Sequence, residues 1–310
     1  MVDIKKITTE KRNENTKNID LLKTIDMLKL INKEDKKVAL AIEKSLDQIA
    51  LVVDQITEVF ENGGRLVYLG AGTSGRIGVL DASECPPTFG VPESMVVGLI
   101  AGGDYALRHA VENIEDSRED AVKDLEAINF NENDILVGIA ASGRTPYVLE
   151  GLKYANNLGA RTSCITTSED SPVAKKAKFP IEVITGPEVL TGSTRMKSGT
   201  AQKMVANMLT TTAMIKIGKV YENLMVDVQM TNQKLVSRAE NIVMEVTDVD
   251  KETTKQYLKK YETVKLAIFA IMTGIEDHKE LERILDENKG NIRKSIKNLE
   301  SGKVNGGLNS

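Results

Sequence analysis

The sequence predicts an α/β protein: a parallel sheet flanked by helices, with N-terminal helices before it and a small C-terminal helical domain after it. Three observations carry this prediction. Short apolar runs alternate with helix-like stretches through the middle of the chain, which is the rhythm of strands joined by crossover helices. Before them, Leu46, Ile49, Val53, Ile56 and Phe60 recur at steps of three and four, the spacing of one apolar helix face. After them, from Asp250 onward, come short charged helical segments.

Taken in order, residues 1 to 18 are polar and charged and read as a mobile arm, and Ile19 to Ile31 carries an apolar helical pattern. The helix from about Leu46 ends at Gly63 and Gly64. Strands are expected near 65 to 70, 95 to 101, 134 to 140, 161 to 166 and 181 to 184. Helices fill Asp104 to Val111, Asp116 to Ile128 and Thr145 to Asn157, and Pro172 opens a short helix that ends before Pro180. A hydroxyl-rich, basic turn from Thr191 to Thr200 starts a long helix to about Ile217, and another runs from roughly Gln229 to Val246. The last helices are Thr253 to Tyr261, Val264 to Met272, Lys279 to Glu287 and Ile292 to Leu299. The expected organisation is an arm with helices at 1–45, the α/β domain with its flanking helices at 46–246, a small helical domain at 247–300 and a disordered tail at 301–310.

Ser-Gly-Arg occurs twice, at Ser74, Gly75, Arg76 and at Ser142, Gly143, Arg144, each time between an apolar run and a helix-like stretch. A strand ending in such a loop presents bare N–H donors and the positive end of a helix dipole to an anion. An ordinary strand-to-helix turn uses the same residues, with Gly for backbone freedom and Ser or Thr as a cap. The repetition favours a phosphate-bearing ligand, with Gly72, Thr73 and Ser74 in the first loop, Ser142, Gly143 and Thr145 in the second, and Ser193 in the third turn as candidate contacts. Gly70, Gly72 and Gly75 form a GxGxxG pattern, but Thr73 and Ser74 crowd a pyrophosphate and no clear ribose acid follows. A compact phosphomonoester suits these loops better. No GxxxxGK followed by Ser or Thr occurs.

Composition excludes several classes. A formal net charge of -4 with both signs interleaved is no footprint for nucleic acid. No stretch is apolar for long enough to span a bilayer, and a cytoplasmic protein is expected. Cys85, Cys164, His109 and His278 do not form a zinc or redox spacing. The carboxylates near the loops are Asp81, Glu84, Glu112 and Glu115. Glu84 precedes Cys85, Pro86 and Pro87, so its helix should stop there and leave Glu84 in a turn, and Glu115 sits at a second break between helices. Carboxylates at such breaks serve a site, cap a helix or stand in solvent.

Five words now identify a family resemblance: GAGTSGR from Gly70, DASECPPTFG from Asp81, AGGDYALRHAVENIEDS from Ala101, ASGRTP from Ala141 and LTGSTRMKSGTAQK from Leu190. From about residue 5 to 300 the chain resembles the N-acetylmuramic acid 6-phosphate etherases of the sugar isomerase (SIS) domain superfamily, relatives of the glucokinase regulatory protein. The resemblance implies a lyase of amino-sugar metabolism and cell-wall recycling. It implies cleavage of a D-lactyl ether by elimination and then hydration, with Glu84 as the acid that protonates lactate and Glu115 as the base at C2. It also implies a homodimer whose subunits complete each other's sites, and no metal or organic cofactor. Arg195 and Lys197 are open to a phosphate or carboxylate contact, or to a purely structural one. Two rivals share the fold: an aldose/ketose isomerase of sugar phosphates, and a noncatalytic sugar-phosphate sensor.

Overall fold

The computed structural model of the chain describes residues 8–228, 230 and 232–302. Three single 3-10 turns (Thr8–Glu10, Glu14–Thr16, Ile19–Leu21) lead into α1 (Thr24–Asp35), α2 (Lys37–Glu43) and α3 (Leu46–Glu61). Then follow β1 (Leu66–Gly70), α4 (Gly72–Phe89), β2 (Val96–Ile100), α5 (Gly103–Arg108), α6 (Arg118–Ala127) and β3 (Ile135–Ile139). α7 (Pro146–Asn157), β4 (Arg161–Thr166), α8 (Pro172–Lys176), β5 (Phe179–Glu182) and α9 (Lys197–Lys216) complete this part of the chain.

The five strands form one parallel sheet in the order β2-β1-β3-β4-β5. Every residue of β1 and β3 is buried, as strands covered on both faces require. On one face Val67, Leu69, Leu136 and Cys164 pack with Leu125 of α6, Val148 and Leu152 of α7 and Val173 of α8. Burial pushes the Cys164 thiol up to about 12, so this cysteine is an inert part of the core. The chain leaves β1 toward β2 on one side and resumes at β3 on the other. The strand order therefore reverses between β1 and β3, and right-handed crossovers put α4 and α7 on opposite faces of the sheet.

Packing divides the chain into two units: residues up to Ser83 with Glu93–Thr211, and Glu84–Pro92 with the chain from Thr212 onward. The second unit holds a small hairpin, β6 (Val220–Tyr221) and β7 (Leu224–Met225), and the helices α10 (Gln233–Thr247), α11 (Lys251–Tyr261), α12 (Val264–Thr273), α13 (His278–Glu287) and α14 (Ile292–Glu300). Ala239 and Val243 of α10 share one core with Tyr261, Phe269, Leu281 and Ile284. α10 thus belongs with the C-terminal helices, ahead of the boundary at 247 that charge patterning indicated. α12, expected over Val264 to Met272, forms over Val264–Thr273, and six of its ten residues are buried.

Two local expectations need correction. The mobile arm is fixed wherever it is described: Asn13 Nδ2 donates to Glu34 Oε2 at 3.1 Å, Thr16 Oγ1 donates to Val189 O at 2.8 Å, and Thr9 O accepts from Gly192 N at 3.2 Å. Its residues 1–7, and residues 303–310 of the expected tail, lie outside the described residues. The second correction concerns α4, which does not stop before Pro86 but runs to Phe89 with both prolines inside it. Proline removes an N–H donor and crowds the previous turn, yet Cys85 and Phe89 are both buried one turn apart and Gly90 N closes onto Pro86 O at 2.9 Å. Burial of that face offsets the missing backbone bonds.

The seating of α4 on β1 depends on glycine. A Cβ at Gly75 would lie 2.7 Å from Gly70 O and 2.6 Å from Ile100 Cγ1, and one at Gly78 would lie 2.8 Å from Tyr68 Cβ. Gly75→Ala therefore has to lift the start of α4 off the strand. We expect a loss of about 2 kcal/mol in urea unfolding, with Gly63→Ala, which meets nothing within 4 Å but sits at φ +77°, as a control for backbone strain alone.

Candidate active site

The loops after β1 and β3 open side by side, because these strands are neighbours in the sheet and their helices depart to opposite faces. This is the crevice in which open parallel sheets bind ligands. A cavity of about 290 Å³ occupies it, lined by Glu10, Ala71, Gly72, Thr73, Ser74, Glu115, Ala141, Ser142, Thr145, Gly192 and Thr194. Six sequence-predicted residues are thus brought together: Gly72, Thr73, Ser74, Ser142, Thr145 and Glu115.

Each is placed for a physical reason. Gly72 has φ +53° and turns the chain directly from β1 into α4, so the first N–H groups of the helix, at Thr73 and Ser74, point out of its open end. In the second loop Gly143 has φ +63°, and a Cβ there would come within 2.3 Å of the Ser171 side chain. Only glycine allows this turn, and its carbonyl accepts from Val173 N at 2.9 Å. Gly143 therefore shapes the loop and does not line the cavity. Thr145 is the N-cap residue of α7, but its hydroxyl makes no capping bond to that helix. Ala141 O is held by Thr166, Thr167 and Ser168 hydroxyls at 3.1 to 3.2 Å, which fixes the loop from below.

The helices carrying the loops are pinned by buried polar groups. Asp81 of α4 accepts from Tyr68 Oη at 2.9 Å, Asn207 Nδ2 at 2.6 Å and Thr210 Oγ1 at 3.2 Å. Burial pushes its carboxyl up against the pull of these bonds, so Asp81 works as a brace between β1, α4 and α9. Tyr147 of α7 donates to Asp124 of α6 at 2.6 Å.

The carboxylates divide. Glu115 lies on a 3-10 turn (Ile114–Asp116) entered through Asn113 at φ +63°, with Ile114 packed on the sheet core. Its side chain is exposed and lines the cavity. Glu84 is exposed on α4, inside the helix and not in the turn expected for it, and is not among the lining residues. Glu112 is exposed and Ser193 is half-buried, and neither lines the cavity. Glu10 does line it, and the sequence reading missed it. The arm that carries it held no periodicity, and the signal was tertiary: the Gly192 N to Thr9 O bond lays the arm across the third turn.

The arginines of the repeat do not serve the cavity. Arg76 donates to the Leu107, Ala106 and His109 carbonyls at 2.7 to 3.0 Å and so caps the end of α5, and Arg144 is exposed. The start of α9 is also already filled. The fully buried Glu188 carboxylate accepts from Lys197 N and Ser198 N, each at 2.9 Å, and from Ser198 Oγ at 2.8 Å.

Comparison with known proteins identifies the domain. Residues 48–156 match the glucokinase regulatory protein N-terminal SIS domain, and residues 106–212 match the SIS domain. A Clostridium botulinum protein named N-acetylmuramic acid 6-phosphate etherase is 57% identical over 299 residues, covering 96% of this chain and 99% of its own. The chain belongs to the N-acetylmuramic acid 6-phosphate etherase family. A family member from Actinobacillus pleuropneumoniae is 55% identical over 95% of this chain and 97% of its own. The family's SIS fold extends to a phosphoheptose isomerase from Francisella tularensis, 20% identical over 63% of this chain and 100% of its own, with a TM-score of 0.51. Among the described residues no helix is long and apolar enough to cross a membrane.

In this family member Lys197 is structural. It is 1% exposed, and its Nζ donates to Glu34 Oε2 and Thr185 O, each at 3.0 Å. Arg195 is exposed. Burial opposes ionisation of Glu34, but hydrogen bonds from Lys37, Lys197 and Asn13 outweigh it and hold the carboxyl lowered to about 2. A depressed carboxylate contributes stability above its unfolded value near 4.5 and loses it as pH falls through about 2. Urea unfolding should therefore show about 2 kcal/mol of Glu34-dependent loss between pH 6 and pH 3. Glu34→Gln should be less stable at pH 6 and lack that part of the slope; an unchanged slope in the variant would rule out this pairing.

Proposed function

We propose that the protein cleaves the D-lactyl ether of N-acetylmuramic acid 6-phosphate, releasing N-acetylglucosamine 6-phosphate and D-lactate. Membership of the etherase family, at 57% identity over nearly the whole chain, is the observation that carries this reading. The cavity between the two loops supports it: hydroxyls and helix-start N–H groups on its walls suit a phosphomonoester, and an exposed carboxylate, Glu115, stands beside them.

The reaction follows from the substrate's chemistry. In the ring-opened sugar the C1 aldehyde acidifies the C2 proton, and the lactyl ether oxygen on C3 is β to that carbonyl. Glu115 takes the C2 proton, the electron pair forms the C2–C3 double bond, and the C3–O bond breaks. Glu84, protonated, gives its proton to the departing lactate oxygen. Water then adds at C3, Glu84 takes its proton, and Glu115 returns one to C2. Two carboxyl groups in opposite protonation states are what this sequence demands. In this reading Ser74, Ser142 and Thr145, with the Gly72–Thr73 backbone, hold the 6-phosphate, while Gly143 and Ser193 set the shape of their loops. The same proposal places the enzyme in the cytoplasm.

Glu10 favours a second assignment of the acid, because it shares the cavity wall with Glu115. Replacement by glutamine separates the two. Glu115→Gln and Glu84→Gln should each cut D-lactate release by at least about a hundredfold, with Glu10→Gln much less affected. A near-normal Glu84→Gln beside an impaired Glu10→Gln would transfer the acid role to Glu10. In deuterated water, D-lactate should appear together with deuterium at C2 of the product. Isomerised sugar without lactate would indicate the isomerase, and binding without turnover the sensor.

We further propose a homodimer formed through the N-terminal helices. Ile25 and Leu28 of α1, Leu40 of α2 and Leu46 and Leu51 of α3 are apolar and 47 to 60% exposed, and a subunit interface over these helices would take them out of water. Leu28→Glu together with Leu40→Glu should halve the mass measured by sedimentation; an unchanged mass would place the interface elsewhere.

A further inference from the structure

The word that begins α9 contains a residue to which neither fold nor reaction has assigned a task. Gln202 is 1% exposed, and Ser74 Oγ donates to its Oε1 at 2.9 Å. Its Nε2, which carries two donors, is buried with no hydrogen-bond partner among the described residues.

Both facts conflict with anion binding by Ser74. A hydroxyl has one hydrogen to give. While Ser74 gives it to Gln202, its oxygen can only accept, and a phosphate dianion offers only acceptors. The buried Nε2 compounds the problem, since an unmet donor is among the costlier defects a protein interior carries. Turning the amide about its last side-chain bond removes the first conflict and halves the second. Nε2 then donates to Ser74 Oγ across the same short separation, and the Ser74 O–H swings toward the cavity it already lines. The carbonyl end is left with the unmet lone pairs, a milder defect than unmet N–H groups.

We propose that Gln202 is a positioning residue whose amide sets the polarity of Ser74: with phosphate bound, Nε2 donates to Ser74 Oγ and releases its O–H to a phosphate oxygen. This rests on the reading that the cavity holds the sugar's phosphate. Gln202 itself touches no reacting atom. Its contribution is to binding, and a group that binds ground state and transition state alike raises KM when lost and leaves kcat alone. Glutamate at this position should act like leucine: an ionised carboxylate can only accept, and so locks Ser74 in the wrong direction.

The test uses the full chain and N-acetylmuramic acid 6-phosphate. Gln202→Leu and Gln202→Glu should each raise KM at least about tenfold with kcat within about twofold. In a Ser74→Ala background neither should raise it further, because both act through the same hydroxyl. A Ser74→Ala variant with unchanged KM would overturn the phosphate reading itself. An impaired Ser74→Ala beside a normal Gln202→Leu, or equal losses in both backgrounds, would overturn the role of Gln202. Should the Gln202 variants fold poorly, the wild-type protein labelled with ¹⁵N-glutamine decides. Saturating N-acetylglucosamine 6-phosphate should shift one buried side-chain amide, and unphosphorylated N-acetylglucosamine should not. No shift on adding the phosphosugar would overturn the proposal.

Discussion

The approach of Gly75 to Gly70 is the contact on which the rest of the site depends. With no side chain on either residue, the first turn of α4 sits directly on the end of β1, Gly75 N meeting Ala71 O at 3.2 Å. That seating aims the open end of the helix into the crevice beside the β3 loop. It also fixes where Asp81 falls two turns later, so that one buried carboxylate can tie α4 to Tyr68 below it and to Asn207 and Thr210 of α9 alongside. The Ser74 to Gln202 bond is the same α4 to α9 junction at the cavity rim. A single methyl group at residue 75 would disturb this whole chain of contacts.

A second regularity concerns charge. Two basic groups near the site are committed elsewhere, Arg76 to carbonyls at the end of α5 and Lys197 to Glu34, and the open start of α9 is taken by Glu188. The cavity wall is left with neutral donors and two carboxylates, Glu10 and Glu115. Neutral hydroxyls and helix-start amides hold an anion without a cation that would pair with, and quench, a neighbouring acid/base carboxylate. This division suits chemistry in which a negatively charged substrate must sit beside a proton-transferring glutamate.

Most of the sheet was legible because buried parallel strands are short apolar runs and the glycines between strand and helix mark their ends; β1, β3 and β4 fall where the pattern put them. β5 was placed two residues late because Pro180 looked like a break. As the edge strand at one end of the sheet, β5 pairs only with β4 and tolerates a residue without N–H. α4 outran its prolines because buried Cys85 and Phe89 outweigh a local preference. The arm was misjudged since its order comes from Asn13 and Thr16 reaching residues more than 170 positions away, which no local window reports. Of the residues lining the cavity, Gly72, Thr73, Ser74, Ser142 and Thr145 stand in the two repeated loops and Glu115 at a break between helices, so each carries a local signal in the sequence. Glu10 and the partnering of Lys197 carry none, because each is defined by a contact distant in sequence.

In the proposed function the loops after β1 and β3 together hold the sugar's phosphate beside Glu115. A crystal structure with N-acetylglucosamine 6-phosphate bound tests it most directly. Phosphate oxygens should lie within about 3 Å of the Ser74, Ser142 and Thr145 hydroxyls and of the first N–H groups of α4, with C2 of the sugar toward Glu115. A phosphate seated instead on Arg144 or Arg195, with these hydroxyls untouched, would contradict it.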